Sequence, residues 1–255
     1  MKKIKIKQEV KKLRKFTHNL SKKKFLAHGP GGNTSIKIGS FLYIKSSGTW
    51  FKDSLKENSF TKIDLNSIKK NIKDESKWKF NRLSSYPSIE TVIHAIIKKK
   101  YVVHLHSVNV LSYAVLKEGK KNLKNKLKDF NWVWIKYKKP GLALGQKIKE
   151  INNDPNIYIL QNHGIIYAGD TLGEIIKLIQ KIEFKLKRIK NLNLKKNIKN
   201  YLKINKNFKK PKNKIIQILA WSKLCNVIEN KSLYPDHTVF LNNKILYLNN
   251  INNNI

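Results

Sequence analysis

Three histidines, His104, His106 and His163, each stand at the end of an apolar, β-branched run. Tyr101-Val102-Val103-His104-Leu105-His106 reads as a strand. Side chains two residues apart on a strand leave the same face, so both imidazoles of the pair can reach one ion. The third closes Ile157-Tyr158-Ile159-Leu160-Gln161-Asn162-His163-Gly164, a second strand that ends in a glycine turn. Three neutral imidazoles suit a borderline divalent metal such as zinc. With no fourth strong protein ligand in the pattern, they leave a coordination position for substrate, which is a catalytic rather than a structural arrangement. His-x-His taken alone is met as often as a solvated pair on an edge strand, so its meaning depends on the elements around it.

Those elements are legible in outline. Residues 1 to 26 carry Val10, Leu13, Phe16 and Leu20 at helical spacing and predict an amphipathic helix. Gly29, Gly31 and Gly32, three of only eleven glycines, fall within four residues, as expected where the backbone takes positive φ or approaches a ligand closely. They lead into two short strands, Thr34 to Ile38 and Phe41 to Lys45, joined as a hairpin through Gly39-Ser40, and Ser47-Gly48-Thr49 makes the next turn. After a polar stretch, Pro87-Ser88-Ile89-Glu90 opens a helix running to about Lys99, with Ser88 or its neighbour as the cap. The His-x-His strand follows, then a helix from about Asn109 to Lys117, a strand from Trp132 to Tyr137, a short helix from Leu142 to Ile151, and the strand ending near His163. Asp170 or Thr171 opens a helix to about Arg188.

The remaining chain is strongly basic. From Lys185 to Lys214 there are thirteen basic residues and no acid, the pattern of a solvated helix end and linker, with an RNA-contacting or membrane-surface segment as the other reading. A helix near Ile215 to Val227 and a hairpin-like Val239 to Leu248 precede an Asn-rich tail. The expected organisation is a catalytic domain over residues 1–190, a Lys/Asn-rich linker or solvated helix over 191–214, and a C-terminal helix and hairpin over 215–255 that can be the remnant of a longer extension.

The net charge of +38 invites a nucleic-acid reading, yet only Arg14, Arg82 and Arg188 of 54 basic residues are arginine. Recognition of phosphates and bases favours the guanidinium fork, so a lysine surplus argues against a nucleic-acid partner. Lys, Asn and Ile, all abundant here, have AT-rich codons, whereas the scarce Ala and Gly have GC-rich ones. The charge is therefore read mainly as a drift of genome composition that leaves a solvated surface. The single cysteine, Cys225, excludes an internal disulfide and fits a reducing compartment. The N-terminal Met1-Lys2-Lys3-Ile4-Lys5-Ile6-Lys7 lacks an apolar h-region, and no stretch approaches the ~18 apolar residues of a membrane span. A cytoplasmic protein without a membrane partner is expected.

In chain order, the pieces that carry chemistry are Gly31-Gly32-Asn33-Thr34-Ser35, Lys45-Ser46-Ser47-Gly48, Pro87-Ser88-Ile89-Glu90, His104-Leu105-His106 and Asn162-His163-Gly164. This combination resembles the class II aldolase/adducin family, which includes fuculose-phosphate, rhamnulose-phosphate and ribulose-phosphate aldolases and epimerases. The resemblance implies a three-layer α/β/α fold with a central, largely antiparallel sheet, and active sites at the interfaces of a cyclic homotetramer. It implies one divalent ion per subunit, zinc or another transition metal, held by His104, His106 and His163, with Glu90 as the acid/base. It also implies a sugar-phosphate substrate whose phosphate is held by Gly32, Asn33, Ser47, Gly48 and Ser88, residues that can offer backbone N–H groups, hydroxyls and an amide to a dianion. Ile89 stands where some aldolases carry another serine, which leaves an unphosphorylated substrate open. Tyr137 matches by position a tyrosine that serves as proton donor from the adjacent subunit in fuculose-phosphate aldolase, and it also reads as an ordinary strand-end tyrosine. His94 reads as a packed or hydrogen-bonded histidine, and His18 and His28 as structural or surface residues. Pro235-Asp236-His237 is similar to an uncharacterised bacterial branch of the family.

The implied reaction is reversible cleavage of a ketose phosphate into a ketone phosphate and an aldehyde through a metal-stabilised enediolate. Epimerases, a dehydratase and decarboxylases share the scaffold and that chemistry. The adducin branch uses the fold as a protein-interaction module; loss of the metal ligands marks it, and here all three are present. A non-catalytic basic surface or nucleic-acid-binding protein is the distant alternative, distinguished by salt-dependent affinity for RNA without bound metal.

Overall fold

The computed structural model describes residues 2–82 and 85–187. These lie in the first of two units into which the chain separates, Met1–Arg188 and Ile189–Ile255. The expected linker, C-terminal helix, hairpin and Asn-rich tail, with Cys225 and His237, lie outside the described residues.

The scaffold is a seven-stranded sheet: β1 (Asn33–Ile38), β2 (Phe41–Lys45), β3 (Phe60–Asp64), β4 (Tyr101–Leu105), β5 (Trp132–Ile135), β6 (Ile157–Leu160) and β7 (Gly164–Gly169). They are ordered β3-β2-β1-β4-β7-β6-β5. Every neighbouring pair is antiparallel except β5 with β6. Strict alternation explains why β4 can carry both core and chemistry. Tyr101, Val103 and Leu105 enter one apolar layer, Val102 enters the other, and His104 and His106 share the face of Val102.

Among the described residues, seven α-helices cover both faces. On one side α1 (Lys2–Ser21), α4 (Val108–Ala114), α5 (Gly119–Lys126) and α7 (Leu172–Leu186) bury Leu13, Val110, Leu123, Ile175 and Ile182 against the sheet. On the other, α2 (Leu65–Lys70), α3 (Thr91–Ile96) and α6 (Leu142–Lys149) bury Ile68, Val92, Ile93, Leu144 and Ile148. Together they form the three-layer α/β/α architecture with a largely antiparallel sheet. No helix among the described residues is long and apolar enough to cross a membrane.

Several elements differ from the sequence reading, and tertiary contacts give the reasons. The first helix stops at Ser21 rather than continuing to residue 26, because Leu26 turns into the core and the Phe25 carbonyl accepts the Val108 N–H at 2.9 Å. The helix after Glu90 ends at Ile96, not Lys99, since Ile97 leaves helical geometry and is itself buried. The helix expected over Asn109 to Lys117 is split: α4 ends at Ala114 and α5 begins at Gly119, where a Cβ would come within 2.2 Å of the Tyr113 carbonyl oxygen. The polar stretch before Pro87 contains β3 and α2, and the residues after His163 form the return strand β7. The strand expected to reach Tyr137 stops at Ile135.

The closing helix α7 starts as expected. Thr171 accepts the Glu174 N–H, and Glu174 reaches back to the Thr171 N–H, a reciprocal capping box. Replacing Thr171 with Ala should therefore cost about 1 kcal/mol, a fall of roughly 2–4 °C in the melting temperature of a domain this size, measurable by calorimetry.

Candidate active site

The site is assembled by strand register. Asn33 on β1 and His104 on β4 are direct cross-strand partners, so their side chains leave the same face of the sheet. Above them Glu90 occupies the N-cap of α3, with its peptide N–H donated to Ser88 Oγ at 3.2 Å. Ser88 thus shapes the turn into the helix, while the Glu90 carboxylate points at the strands instead of capping. Asn33 Nδ2 donates to Glu90 Oε2 at 2.6 Å, and His104 Nδ1 lies 2.6 Å from the same oxygen. The other oxygen, Oε1, is buried without a hydrogen bond and lies 3.4 Å from His163 Nε2.

His163 comes from the tight turn between β6 and β7. Asn162 takes positive φ there, and the His163 N–H closes the turn on the Leu160 carbonyl at 3.1 Å. Pairing of β7 with β4 places this turn beside Leu105. Ring centroids of His104 and His106 are 4.8 Å apart, those of His104 and His163 4.7 Å, and those of His106 and His163 5.4 Å. One ligand atom from each histidine lies within 4.8 Å of the others, and all three residues are buried.

The donor set fits a divalent cation. With Nδ1 of His104 facing a carboxylate, the consistent tautomer carries its proton there and leaves Nε2 as a lone pair. That Nε2 is buried and has no hydrogen-bond partner, as expected of a ligand atom oriented from behind by a carboxylate. Burial pushes His163 down to about 3, so its imidazole is neutral at physiological pH. Burial by itself would raise the Glu90 pKa. The hydrogen bond from His104 outweighs it and holds the carboxyl well below its usual range. The carboxylate is therefore ionised.

The other residues named from the sequence take varied settings. His94 is a buried structural histidine, as expected, with Nδ1 2.7 Å from Ser35 Oγ. His18 bonds the Lys52 carbonyl at 2.9 Å. Gly32 takes φ +75°, and a Cβ on it would lie 2.9 Å from the His104 carbonyl oxygen. Ser47 and Gly48 form an exposed turn, and Ile89 is exposed beside Gly141. Tyr137 is not among the side chains hydrogen-bonded around Glu90; its ring is exposed and its peptide N–H donates to Gln161 Oε1 at 3.1 Å.

Two groups were given no individual role in the sequence reading. Glu183 of α7 accepts from Ser107 Oγ at 2.5 Å and Asn109 Nδ2 at 2.8 Å, anchoring the chain just after His106 from the opposite layer. Lys45 is buried beneath the glycine-rich turns. The sequence places it at the head of Lys45-Ser46-Ser47-Gly48, but nothing local to that motif shows that its side chain is buried.

Residues 11–188 match the Class II Aldolase and Adducin N-terminal domain. The chain belongs to the class II aldolase and adducin family. Within it, the chain is 28% identical over 180 residues to a Bacillus subtilis protein named as an uncharacterized oxidoreductase, YuxG, covering 60% of this chain and 26% of that protein. The chain thus spans about a quarter of the length of that relative. It is 26% identical over 183 residues to an L-fuculose phosphate aldolase of Methanocaldococcus jannaschii, covering 66% of this chain and 89% of the relative. The N-terminal class II aldolase domain of a conserved Thermoplasma acidophilum protein superposes with a TM-score of 0.61 at 24% identity, over 68% of this chain and 90% of that one. The family fold is the architecture described above.

Gly164 makes the His163 turn possible. A Cβ there would approach the Leu105 carbonyl oxygen to 2.5 Å and His104 Nε2 to 3.1 Å. Gly164→Ala should accordingly destabilise the protein by about 1–3 kcal/mol, read as a lower midpoint in urea unfolding.

Proposed function

We propose that this chain is a divalent-metal-dependent aldolase, zinc being the first candidate ion, that reversibly cleaves a ketose phosphate into a ketone phosphate and an aldehyde. The catalytic unit is assigned to residues 1–190. The observation that carries the reading is the division of labour at Glu90: one oxygen is fixed by Asn33 and His104, and the other is open beside three converging imidazoles. A solvated His-x-His pair would show neither the burial nor the oriented carboxylate.

When bound, a divalent cation on His104, His106 and His163 supplies Lewis acidity toward negative charge developing on substrate oxygens. Glu90 moves the proton. In the condensation direction Oε1 removes it from the carbon next to the substrate carbonyl, and in the cleavage direction the same oxygen returns it. Asn33 and His104 keep Oε2 from rotating into that position, so the reactive lone pair needs no reorganisation. Gly32, Ser47, Gly48 and Ser88 hold the anionic end of the substrate, with the second amide hydrogen of Asn33 available beside them. Tyr137, exposed on its own subunit, would serve as proton donor to a neighbouring site in a homotetramer. Epimerases, dehydratases and decarboxylases of this scaffold need the same proton removal, and product analysis over a panel of ketose phosphates separates them: appearance of an aldehyde and a ketone phosphate identifies cleavage.

Elemental analysis should find about one divalent ion per subunit in the parental protein, and a clear loss of it in His104→Ala and His163→Ala. Unchanged metal in both variants would remove the site.

Glu90→Gln keeps the shape and the acceptor for His104 but removes the base. Turnover should fall by about 10²- to 10⁴-fold with metal largely retained. Cleavage or substrate-proton exchange at the parental rate would overturn the assignment.

A further inference from the structure

Helix α3 carries Glu90 at its start and ends at Ile96, where the same helical layer holds a cavity of about 390 Å³. That volume falls within the range of small-molecule sites, about 300–1,000 Å³. Its walls are aliphatic: Ile72, Ile96, Ile97, Ile148 and Ile151. Lys69 from α2, Lys98 from the turn before β4 and Lys149 from the end of α6 stand around it. All three are exposed, and none has an ion pair among the described residues. Asp154 is the one carboxylate in the lining, and it lies 3.6 Å from Lys99, which offsets its charge. Tyr158 of β6 completes the wall. It is only 3% exposed, yet none of the hydrogen bonds among the described residues involves its hydroxyl. A buried tyrosine hydroxyl ordinarily finds a partner. Burial, followed by the charge of Asp154, raises the Tyr158 pKa, so the hydroxyl keeps its proton and can donate.

We propose that this cavity is a second ligand site, separate from the Glu90 cluster, for a small organic anion with an aliphatic body and a carboxylate or phosphate head. The isoleucine walls take the aliphatic body, because apolar surface there leaves water on binding. The head meets three lysines from three different elements and the unsatisfied hydroxyl of Tyr158. Exposed lysines alone attract any anion weakly and under salt screening. The apolar walls beside them and the buried donor select an anion that carries a hydrocarbon portion. The inference goes beyond the aldolase reading and does not depend on it.

Calorimetry on the full-length protein tests the site, with octanoate and octyl phosphate as probes and octanol and inorganic phosphate as their separate halves. An octyl anion should bind at one site per chain, and each half should bind at least about tenfold more weakly. The tighter of the two anions identifies the head group. Lys69→Glu with Lys149→Glu should weaken that binding by about tenfold, and Tyr158→Phe by about threefold. Lys121→Glu with Lys124→Glu changes the net charge equally on α5, in the opposite layer, and should leave the affinity near the parental value. His104→Ala should retain the binding, which places it away from the metal cluster. Parental affinity in the cavity variants overturns the proposal, as does an equal loss in the α5 pair or loss of binding in His104→Ala. Failure of both octyl anions to bind, or octanol binding as tightly as they do, overturns it as well.

Discussion

A buried, ionised carboxylate is the constraint around which this structure is arranged. Glu90 is 4% exposed, and a charge so placed is tolerated only when hydrogen-bond donors are aimed at it. Its two donors come from β1 and β4, which must pair so that Asn33 and His104 stand directly opposite each other. A slip of one residue would send one of them to the far face of the sheet. The same register leaves Nε2 of His104 buried without a hydrogen-bond partner. Stability and chemistry are thus fixed by the same pairing.

Neighbouring parts serve that pairing in different ways. The tight β6–β7 turn brings His163 to the cluster because Gly164 has no side chain to strike Leu105 or His104. Gly32 makes the matching approach from the other side, against the main chain of His104. From the opposite layer, Glu183 fixes the residues just after His106 through Ser107 and Asn109. Its pKa is raised by burial and drawn back by those two donors. The imidazole cluster is therefore held from both faces of the sheet, which is the support a metal site needs to keep its geometry.

Electrostatics of the surface and of the site are separate matters. Lysines supply most of the chain's positive charge, whereas Glu90 is held by donors 2.6 Å away. Exposed lysines speed encounter with an anion in a way that salt screens.

Much was legible from residue types and order alone. Alternation in Tyr101-Val102-Val103-His104-Leu105-His106 places both histidines on one face wherever the strand lies, because side chains alternate strictly with the pleat. The helical spacing of Val10, Leu13, Phe16 and Leu20 gives the buried stripe of α1 for the same kind of reason. His163 and the glycine-rich turns could be named from their local patterns, and Glu90 from the resemblance of the ordered motifs to the family. Their convergence could not, since it depends on which strands pair and in what register, and those are long-range contacts with no local signature. For that reason the donor from Asn33 to Glu90, the split of α4 from α5, the return strand β7 and the buried setting of Lys45 were decided only in the folded chain. The sequence determined which groups were available; packing determined which oxygen of Glu90 was held, which was left open, and which lysine ended up inside.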